Sequence, residues 1–174
     1  MIPSKVTVAA SGECWVGRGA RSVEQLQIDV VSHARTEIQM LAYSITTGAS
    51  SLLDSARQRG ELGVKVMIVV NRFRTQPVSA RRLLAKSVGS MVDCAVYSFE
   101  PPNSKEDMHA KVVVVDRSTA IIGSANFSWS GLTRNHELCV AVSGAAAETL
   151  GGLIRSLVDE GPVRRVLASG RSSE

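Results

Sequence analysis

Apolar and polar positions along the chain follow two periods, one typical of strands and one typical of helices. Val23, Leu26, Val30 and Ala34 recur at steps of three and four residues, as an amphipathic helix requires. Residues 112–115 are an unbroken run of valine, which is typical of a strand covered on both faces of a sheet. The predicted strands are residues 5–9, 37–43, 64–70, 94–99, 109–116, 119–123 and 137–142. The predicted helices are residues 50–59 and 145–160, and two more begin at Val23 and near Pro77.

The order of these elements predicts an α/β fold with a mixed central β-sheet and helices on both of its faces. A chain of 174 residues is long enough for one domain with a conventional core. We assign residues 1–160 to that single domain and residues 161–174 to a peripheral C-terminal tail. Residues 11–20 and 100–107 are predicted loops, because both segments carry glycine or proline among polar residues.

Composition narrows the classes of protein to which the chain can belong. Hydrophobic residues make up 44% of the sequence, which excludes a largely disordered chain. The longest apolar run falls far short of the ~20 residues that cross a bilayer, and the first residues lack the apolar core of an export signal. We therefore expect a soluble, cytoplasmic protein. Cys14, Cys94 and Cys139 fit neither a disulfide framework nor a paired zinc motif, so we expect them to fill the core.

Positive charge is unevenly distributed along the chain. The formal net charge is only +4, but residues 71–86 contain five basic residues and no acidic residue. Such a segment is either a solvated loop and helix face or a surface that contacts a polyanion. The residues in question are Arg72, Arg74, Arg81, Arg82 and Lys86.

Polar residues with catalytic potential begin at His109. On an extended strand, side chains two positions apart share a face, so His109 and Lys111 place an imidazole beside a cation, with about 7 Å between their Cα atoms. Asp116 lies an odd number of positions from His109, and we expect it to brace the turn at the strand end rather than touch a ligand.

Three more polar residues follow on the next two predicted strands. Ser124 and Asn126 are two positions apart just after a strand end and can present a hydroxyl and an amide to one point. Glu137 begins the following strand and can accept a hydrogen bond from Nδ1 of His109, which would leave Nε2 free to attack. An imidazole with lysine and amide donors around it suits the several oxygens of a phosphoryl group.

The series His-x-Lys-x4-Asp, Gly-Ser-x-Asn and Asn-x-Glu resembles the HKD motif of the phospholipase D superfamily. Upstream, residues 44–46, 59–60 and 63–66 are similar to the small bacterial nucleases of that superfamily. The resemblance covers most of residues 20–160. The members of the series, in order, are His109, Lys111, Asp116, Gly123, Ser124, Asn126, Asn135 and Glu137.

The resemblance implies phosphodiester cleavage in two steps. One histidine attacks phosphorus to form a phosphohistidine, and a second histidine protonates the leaving oxygen and then activates water. Carried over to this sequence, His109 is nucleophile or general acid, Lys111 and Asn126 hold phosphate oxygens, Ser124 assists, and Glu137 orients His109. The resemblance implies no metal and no other cofactor, because lysines and amides bind the phosphate.

The sequence contains one such motif, whereas the resemblance implies two for each active site. Neither His33 nor His136 is followed by a lysine two residues later. We therefore expect a homodimer in which the two His109 side chains meet across a two-fold axis in one shared cleft.

The remaining candidates have simpler interpretations. His33 is interpreted as a helix-surface or partly buried residue, and His136 as a strand-end residue without chemistry. A zinc site is not favoured, because His136 and Glu137 alternate faces on a strand and no further cluster completes four ligands. Trp129, like Phe127, either packs in the core or flanks the cleft and stacks on a base.

A nuclease of low sequence specificity is the favoured function, with DNA favoured over RNA as its partner, because the chain is basic and resembles compact nucleases. Phospholipid cleavage and a catalytically silent nucleic-acid-binding or assembly module stay open as alternatives. No helix combines a strong apolar face with a lysine-rich face, which argues against membrane binding. An unspecific nuclease endangers its host, so a regulatory or defence-system partner is also expected.

Overall fold

The computed structural model describes residues 6–90, 93–103 and 105–167. Within them lie one mixed β-sheet of nine strands and four α-helices. The strands are β1 (Val6–Ser11), β2 (Arg21–Ser22), β3 (Glu37–Ala42), β4 (Lys65–Asn71), β5 (Cys94–Phe99), β6 (Lys111–Val115), β7 (Thr119–Gly123), β8 (Glu137–Ser143) and β9 (Val163–Val166). The helices are α1 (Val23–Ser32), α2 (Ser50–Glu61), α3 (Val78–Ser90) and α4 (Ala145–Glu160).

The sheet order is β2-β1-β8-β7-β6-β3-β4-β5-β9. Strands β3, β4 and β5 are parallel, since the helices α2 and α3 supply the crossovers between them. Strands β6, β7 and β8 pair antiparallel to their neighbours. As a result, one row of strand ends lies along the same side of the sheet, and it is called the sheet edge from here on. It consists of the carboxyl ends of β1, β3, β4 and β7 and the amino ends of β6 and β8.

Helices cover both faces of this sheet, as predicted. Apolar side chains of α1, α2 and α3 pack with one face in the larger core cluster, which includes Ile38 and Val113. The opposite face packs against Ala147 and Ile154 of α4. The valine run of β6 contributes to both clusters, which explains why its pattern has no polar alternation.

Two edge strands were missing from the sequence-based prediction. Residues 163–166, within the tail expected over residues 161–174, pair antiparallel with β5 as an edge strand. Val-Arg-Arg-Val carries a weak apolar signal, and its exposed edge position tolerates the two arginines. Strand β2 is only two residues long and pairs in parallel with β1.

Three predicted elements have the bounds that the sequence pattern gave, namely β5, β7 and α4. The prediction for β6 was too long, because the strand begins at Lys111 rather than His109. Ala42, the last residue of β3, pairs with Lys111, so the chain before Lys111 has no strand partner. No helix within the described parts of the chain is long and apolar enough to cross a membrane.

Candidate active site

His109 and Lys111 are in direct contact at the sheet edge where the strand ends converge. The Lys111 Nζ atom lies 2.9 Å from His109 Nδ1 and donates to the His109 carbonyl oxygen at 2.8 Å. The Tyr43 ring, just after β3, packs on the imidazole with a centroid distance of 4.2 Å, and Lys111 Nζ lies 4.9 Å from the centre of that ring. Three side chains therefore form one compact group with the imidazole exposed to solvent.

Lys111 is a buried cation at this edge. Burial lowers its pKa, and the negative charge of Glu137 opposes that shift. Within residues 6–90, 93–103 and 105–167, no carboxylate forms an ion pair with Lys111. A buried ammonium without a carboxylate partner is suited to an anionic ligand, because the ligand would supply the missing counter-charge.

The hydrogen bonds among the described residues include none between Glu137 and His109, where the sequence-based expectation placed one. Its carboxylate accepts hydrogen bonds from the Ser124 hydroxyl and, at 3.3 Å, from Asn135 Nδ2. The Ser124 hydroxyl also accepts from the backbone N–H of Leu138 at 3.3 Å. Lys111, rather than Glu137, is the side chain next to Nδ1 of His109.

Asn126 lies on a loop that is fixed from two sides. Phe127 forms a bridge with Ile45, in which the Phe127 N–H donates to Ser44 and the Phe127 carbonyl accepts from Thr46. A Cβ atom on Gly131 would lie 2.4 Å from the Asn126 carbonyl oxygen, so only glycine fits there. Asn126 Oδ1 is buried and has no hydrogen-bond partner among the described residues.

Two buried amides behind the site were not singled out from the sequence. Asn71, at the end of β4, accepts from the Met108 N–H and donates to Asp107, so it fixes the residues just before His109. Gln76 accepts from the Ile45 N–H and donates to the carbonyl oxygens of Asn71 and of Tyr43. In the sequence, Asn71 stands out only as an uncharged polar residue at the end of an apolar strand, and this was the feature by which it could have been found.

The five basic residues of segment 71–86 lie on different elements. Arg72 is at the edge, but its guanidinium donates to the Asp107 carboxylate at 3.0 Å and to the Glu106 carbonyl at 2.7 Å. It therefore braces the loop before His109. The hydrogen bonds from Asn71 and Arg72 lower the pKa of Asp107. Arg74 borders a cleft toward β9, while Arg81, Arg82 and Lys86 lie on α3.

Asp116 lies at the opposite end of β6. Its carboxylate accepts from the backbone N–H groups of Arg35, Thr36 and Glu37 and from the Thr36 hydroxyl. Burial pushes its pKa up, but these hydrogen bonds outweigh burial and hold the pKa of Asp116 below its ordinary value of 3.8. The residue joins the β6–β7 turn to the start of β3 and is a structural member of the motif.

The remaining candidates are distributed as follows. His33 ends α1, with Nδ1 2.6 Å from the Asp29 carbonyl oxygen. Cys94 and Cys139 are buried, and burial raises the pKa of Cys94 to about 12, but Cys14 is exposed and not part of the core. Phe127 is a core residue, whereas Trp129 is exposed. No group of three or more histidine, cysteine or acidic side chains within the described residues has the geometry of a metal site.

A comparison with models of known protein families shows the family of this chain. Residues 28–152 match the family model described as "Cardiolipin synthase, PLD-like domain". The chain belongs to this phospholipase D-like family. The sequence-based recognition is thereby confirmed, and the chain is a member of a phosphodiesterase family.

The chain is also similar to a curated protein, the DISARM protein DrmC of Bacillus paralicheniformis. The two are 21% identical over 139 residues, which is 80% of this chain and 57% of DrmC. The chain thus spans a little over half the length of this curated relative.

Solved structures share the fold. Nuc from Salmonella typhimurium, a phospholipase D family member, superimposes with a TM-score of 0.76 at 22% identity, over 95% of this chain and 99% of Nuc. NucT from Helicobacter pylori gives 0.75 at 16% identity, over 90% and 97% of the two chains. Phosphatidylserine synthase of Haemophilus influenzae Rd KW20 gives 0.72 at 11% identity, over all of this chain but 42% of the synthase.

Proposed function

We propose that the chain is a metal-independent nuclease that cleaves phosphodiester bonds through a phosphohistidine, at an active site shared by two copies. The observation that carries this proposal is the contact between His109 and the buried ammonium of Lys111, which has no ion pair with any carboxylate in the described parts of the chain. A phosphate diester supplies both the anion that Lys111 lacks and the electrophile that an imidazole attacks.

Two imidazoles share the steps of the proposed reaction. Once Lys111 has moved to the phosphate, Nδ1 of His109 carries the proton of the neutral ring, and Nε2 forms a bond to phosphorus while the bond from phosphorus to the leaving oxygen breaks. His109 of the partner subunit, as imidazolium, gives its proton to that oxygen. A water molecule then returns a proton to this second imidazole and attacks phosphorus, and the phosphorus–nitrogen bond breaks. Lys111 and Asn126 hold the phosphate oxygens, and the phosphate draws the ammonium away from Nδ1 of His109 because it is the stronger acceptor.

An uncovered apolar surface supports the homodimer. Val6 and Val8 of β1 and Leu138 of β8 are exposed on the sheet face that carries α4. This surface reaches the active-site edge, because the Leu138 N–H donates to the Ser124 hydroxyl. A second copy placed against it by a two-fold rotation would bury these side chains and bring another His109 to the same edge.

Nucleic acid, with DNA favoured, is the proposed substrate. The sequence resemblance to small bacterial nucleases and the near-complete superposition on Nuc and NucT support it. We further propose that the chain acts in a defence system with other proteins, for which the match to the DISARM protein DrmC is the support.

One assay tests the catalytic proposal. The purified protein is incubated in excess EDTA with labelled single- and double-stranded DNA, with RNA and with phosphatidylcholine vesicles. We expect nucleic-acid cleavage that survives chelation, disappears in His109→Ala and persists in His33→Ala, which removes a histidine at the far end of α1. Loss of cleavage in EDTA would contradict the metal-independent mechanism.

The vesicles test the second candidate, phospholipid cleavage, which the cardiolipin synthase description of the family model favours. Turnover of lipid without turnover of nucleic acid would replace the nuclease proposal by this alternative. Binding of nucleic acid without any turnover would indicate the silent binding module.

A mixing experiment tests the shared site. The wild type and His109→Ala are unfolded together and refolded in equal amounts, so that subunits pair at random. If each site needs two His109 side chains, activity falls to about a quarter of the wild-type value, whereas independent sites would retain about a half. Retention of half the activity would refute the shared site.

A further inference from the structure

A cleft near the candidate active site combines aromatic, apolar, cationic and acidic side chains. It has a volume of about 580 Å³ and is lined by Glu13, Val16, Trp129, Thr133, Arg134 and His136. Val16 and Trp129 are the two large apolar side chains here, with 78% and 57% of their surface exposed. Both tryptophans of the chain belong to this region, because Trp15 packs edge-on against the His136 ring at 5.2 Å.

The backbone around this cleft is held in place. A Cβ atom on Gly48 would lie 2.2 Å from the backbone nitrogen of Trp129, so the turn at residues 47–49 packs directly against that backbone. Gly12 has a φ of +98°, and a Cβ atom there would lie 2.7 Å from the His136 ring. The Ser11 hydroxyl donates to the Asn135 carbonyl at 2.8 Å. Because this backbone is already ordered, binding of a ligand here does not require the backbone to become ordered.

The residues that line the cleft are close in the chain to the candidate catalytic residues Asn126 and Glu137. Thr133 and Arg134 of the lining belong to the π-helical segment Ser130–Arg134, which lies in the chain between Asn126 and Glu137. Trp129 is three residues after Asn126, so their Cα atoms are at most about 11 Å apart. At the other end, Asn135 Nδ2 donates to Glu137 Oε1 at 3.3 Å. A strand whose phosphate lies on His109 would therefore carry a neighbouring nucleotide to this cleft.

We infer that the cleft binds an unpaired base of the substrate strand by stacking on Trp129, with Arg134 neutralising an adjacent phosphate. Exposed tryptophan faces bind any base, because every base has a π-face, and arginine adds a cation for the backbone. Bases inside a duplex are not available to such a surface, so single-stranded or locally unpaired nucleic acid is the preferred substrate. This inference rests on the proposed nuclease function and names its substrate class.

The test uses single-stranded oligonucleotides with one abasic position. Cleavage products of the wild type are mapped as the abasic position is moved along the strand. We expect one fixed offset from the cut at which the abasic position lowers kcat/KM by about tenfold, a loss typical of one stacked base. Trp129→Ala should show the same loss on the intact strand and no further loss at that offset, while Trp129→Phe restores most of the activity.

Leu62→Ala is the matched control, since Leu62 is a large exposed apolar residue at the end of α2, away from the cleft. It should cleave every oligonucleotide like the wild type. Unchanged cleavage by Trp129→Ala would overturn the inference. So would a kcat/KM of Trp129→Ala on the abasic strand that is lowered by the product of the two separate losses, because the variant and the abasic position would then act independently.

A binding measurement separates this inference from the catalytic proposal. His109→Ala should bind a labelled single strand about tenfold more tightly than His109→Ala combined with Trp129→Ala, by fluorescence anisotropy. If this difference is found while the wild type cleaves nothing, the base site stands and the nuclease proposal fails. Equal binding by the two variants overturns the base site even if cleavage is found.

Discussion

The substitution Asp116→Asn tests whether Asp116 stabilises the fold without acting in the chemistry that we propose for His109 and Lys111. The carboxylate receives four hydrogen bonds on Oδ1, from Thr36 N–H at 2.7 Å, the Thr36 hydroxyl at 2.8 Å, Glu37 N–H at 3.0 Å and Arg35 N–H at 3.1 Å. Oδ2 receives one more, from Arg35 N–H at 2.9 Å. Asp116 has a φ of +52°, a conformation that asparagine also tolerates, so the substitution removes charge without adding backbone strain.

The expected cost follows from these contacts. A hydrogen bond to a charged acceptor contributes about 1.5–3 kcal/mol and a neutral one about half of that, while a donor left without a partner costs about 1–3 kcal/mol. Asparagine keeps one acceptor oxygen and turns an NH2 group toward the backbone donors. We expect the free energy of unfolding at pH 7 to fall by about 3 kcal/mol, which lowers the melting temperature by about 9 °C.

Urea denaturation between pH 7 and pH 3 measures this cost. The pKa of Asp116 is lower in the folded chain than the ordinary 3.8, so its contribution is present above that pH and is lost as the pH falls through the folded value. The gap between the wild type and Asp116→Asn should be constant from pH 7 to 5 and shrink toward pH 3. Asp159→Asn, at an exposed position of α4, removes the same charge as a control.

Equal stability of the wild type and Asp116→Asn at pH 7 would refute this reasoning. So would a loss of kcat/KM of more than about tenfold at temperatures where the variant is folded, because Asp116 would then act in the chemistry. We expect Asp116 to take no part in the chemistry, because strand β6 separates its Cα atom from that of Lys111 by about 16 Å.

Further predictions concern the active site and the cleft beside it. Lys111→Met should lower kcat/KM by about 1000-fold in the cleavage assay, and Lys111→Arg should not restore it, since a planar guanidinium does not replace a compact ammonium in a buried site. A carbon NMR titration should give Lys111 a pKa below 10.5, and Glu137→Gln should lower that pKa further by removing the opposing charge. Arg134→Gln should reduce the salt-dependence slope of single-strand binding by about 0.7. Gly48→Ala should destabilise the fold by about 2 kcal/mol in urea denaturation, because its Cβ atom would overlap the Trp129 backbone.

Each of these has a control and a contradicting result. Lys65→Met removes an exposed lysine from β4 and should leave cleavage unchanged, so a similar loss in both lysine variants would contradict the role of Lys111. A Lys111 pKa at or above 10.5 would contradict its burial. An unchanged salt slope would remove Arg134 from the binding surface. Gly152→Ala lies in open space on α4 and should not destabilise the fold, so equal stability of the two glycine variants would contradict the close approach at Gly48.

Most of the fold and the whole motif can be predicted from the amino-acid pattern alone. The apolar patterns of β5, β7 and α4 gave their bounds, because each pattern reflects burial of the element's own residues on one or two faces. Local spacing likewise placed His109 beside Lys111, and the odd interval to Asp116 excluded it from the same face. These features depend on contacts within a few residues or on a single strand.

Contacts between residues that are distant in the chain depend on the tertiary structure. Glu137 contacts Ser124 rather than His109, and Arg72 contacts Asp107, because strand order and register set those distances and no local pattern encodes them. The cleft at Trp129 has the same origin, since its walls come from segments more than 100 residues apart along the chain. Periodicity reports whether a side chain is buried, but only the assembled sheet decides what that side chain touches.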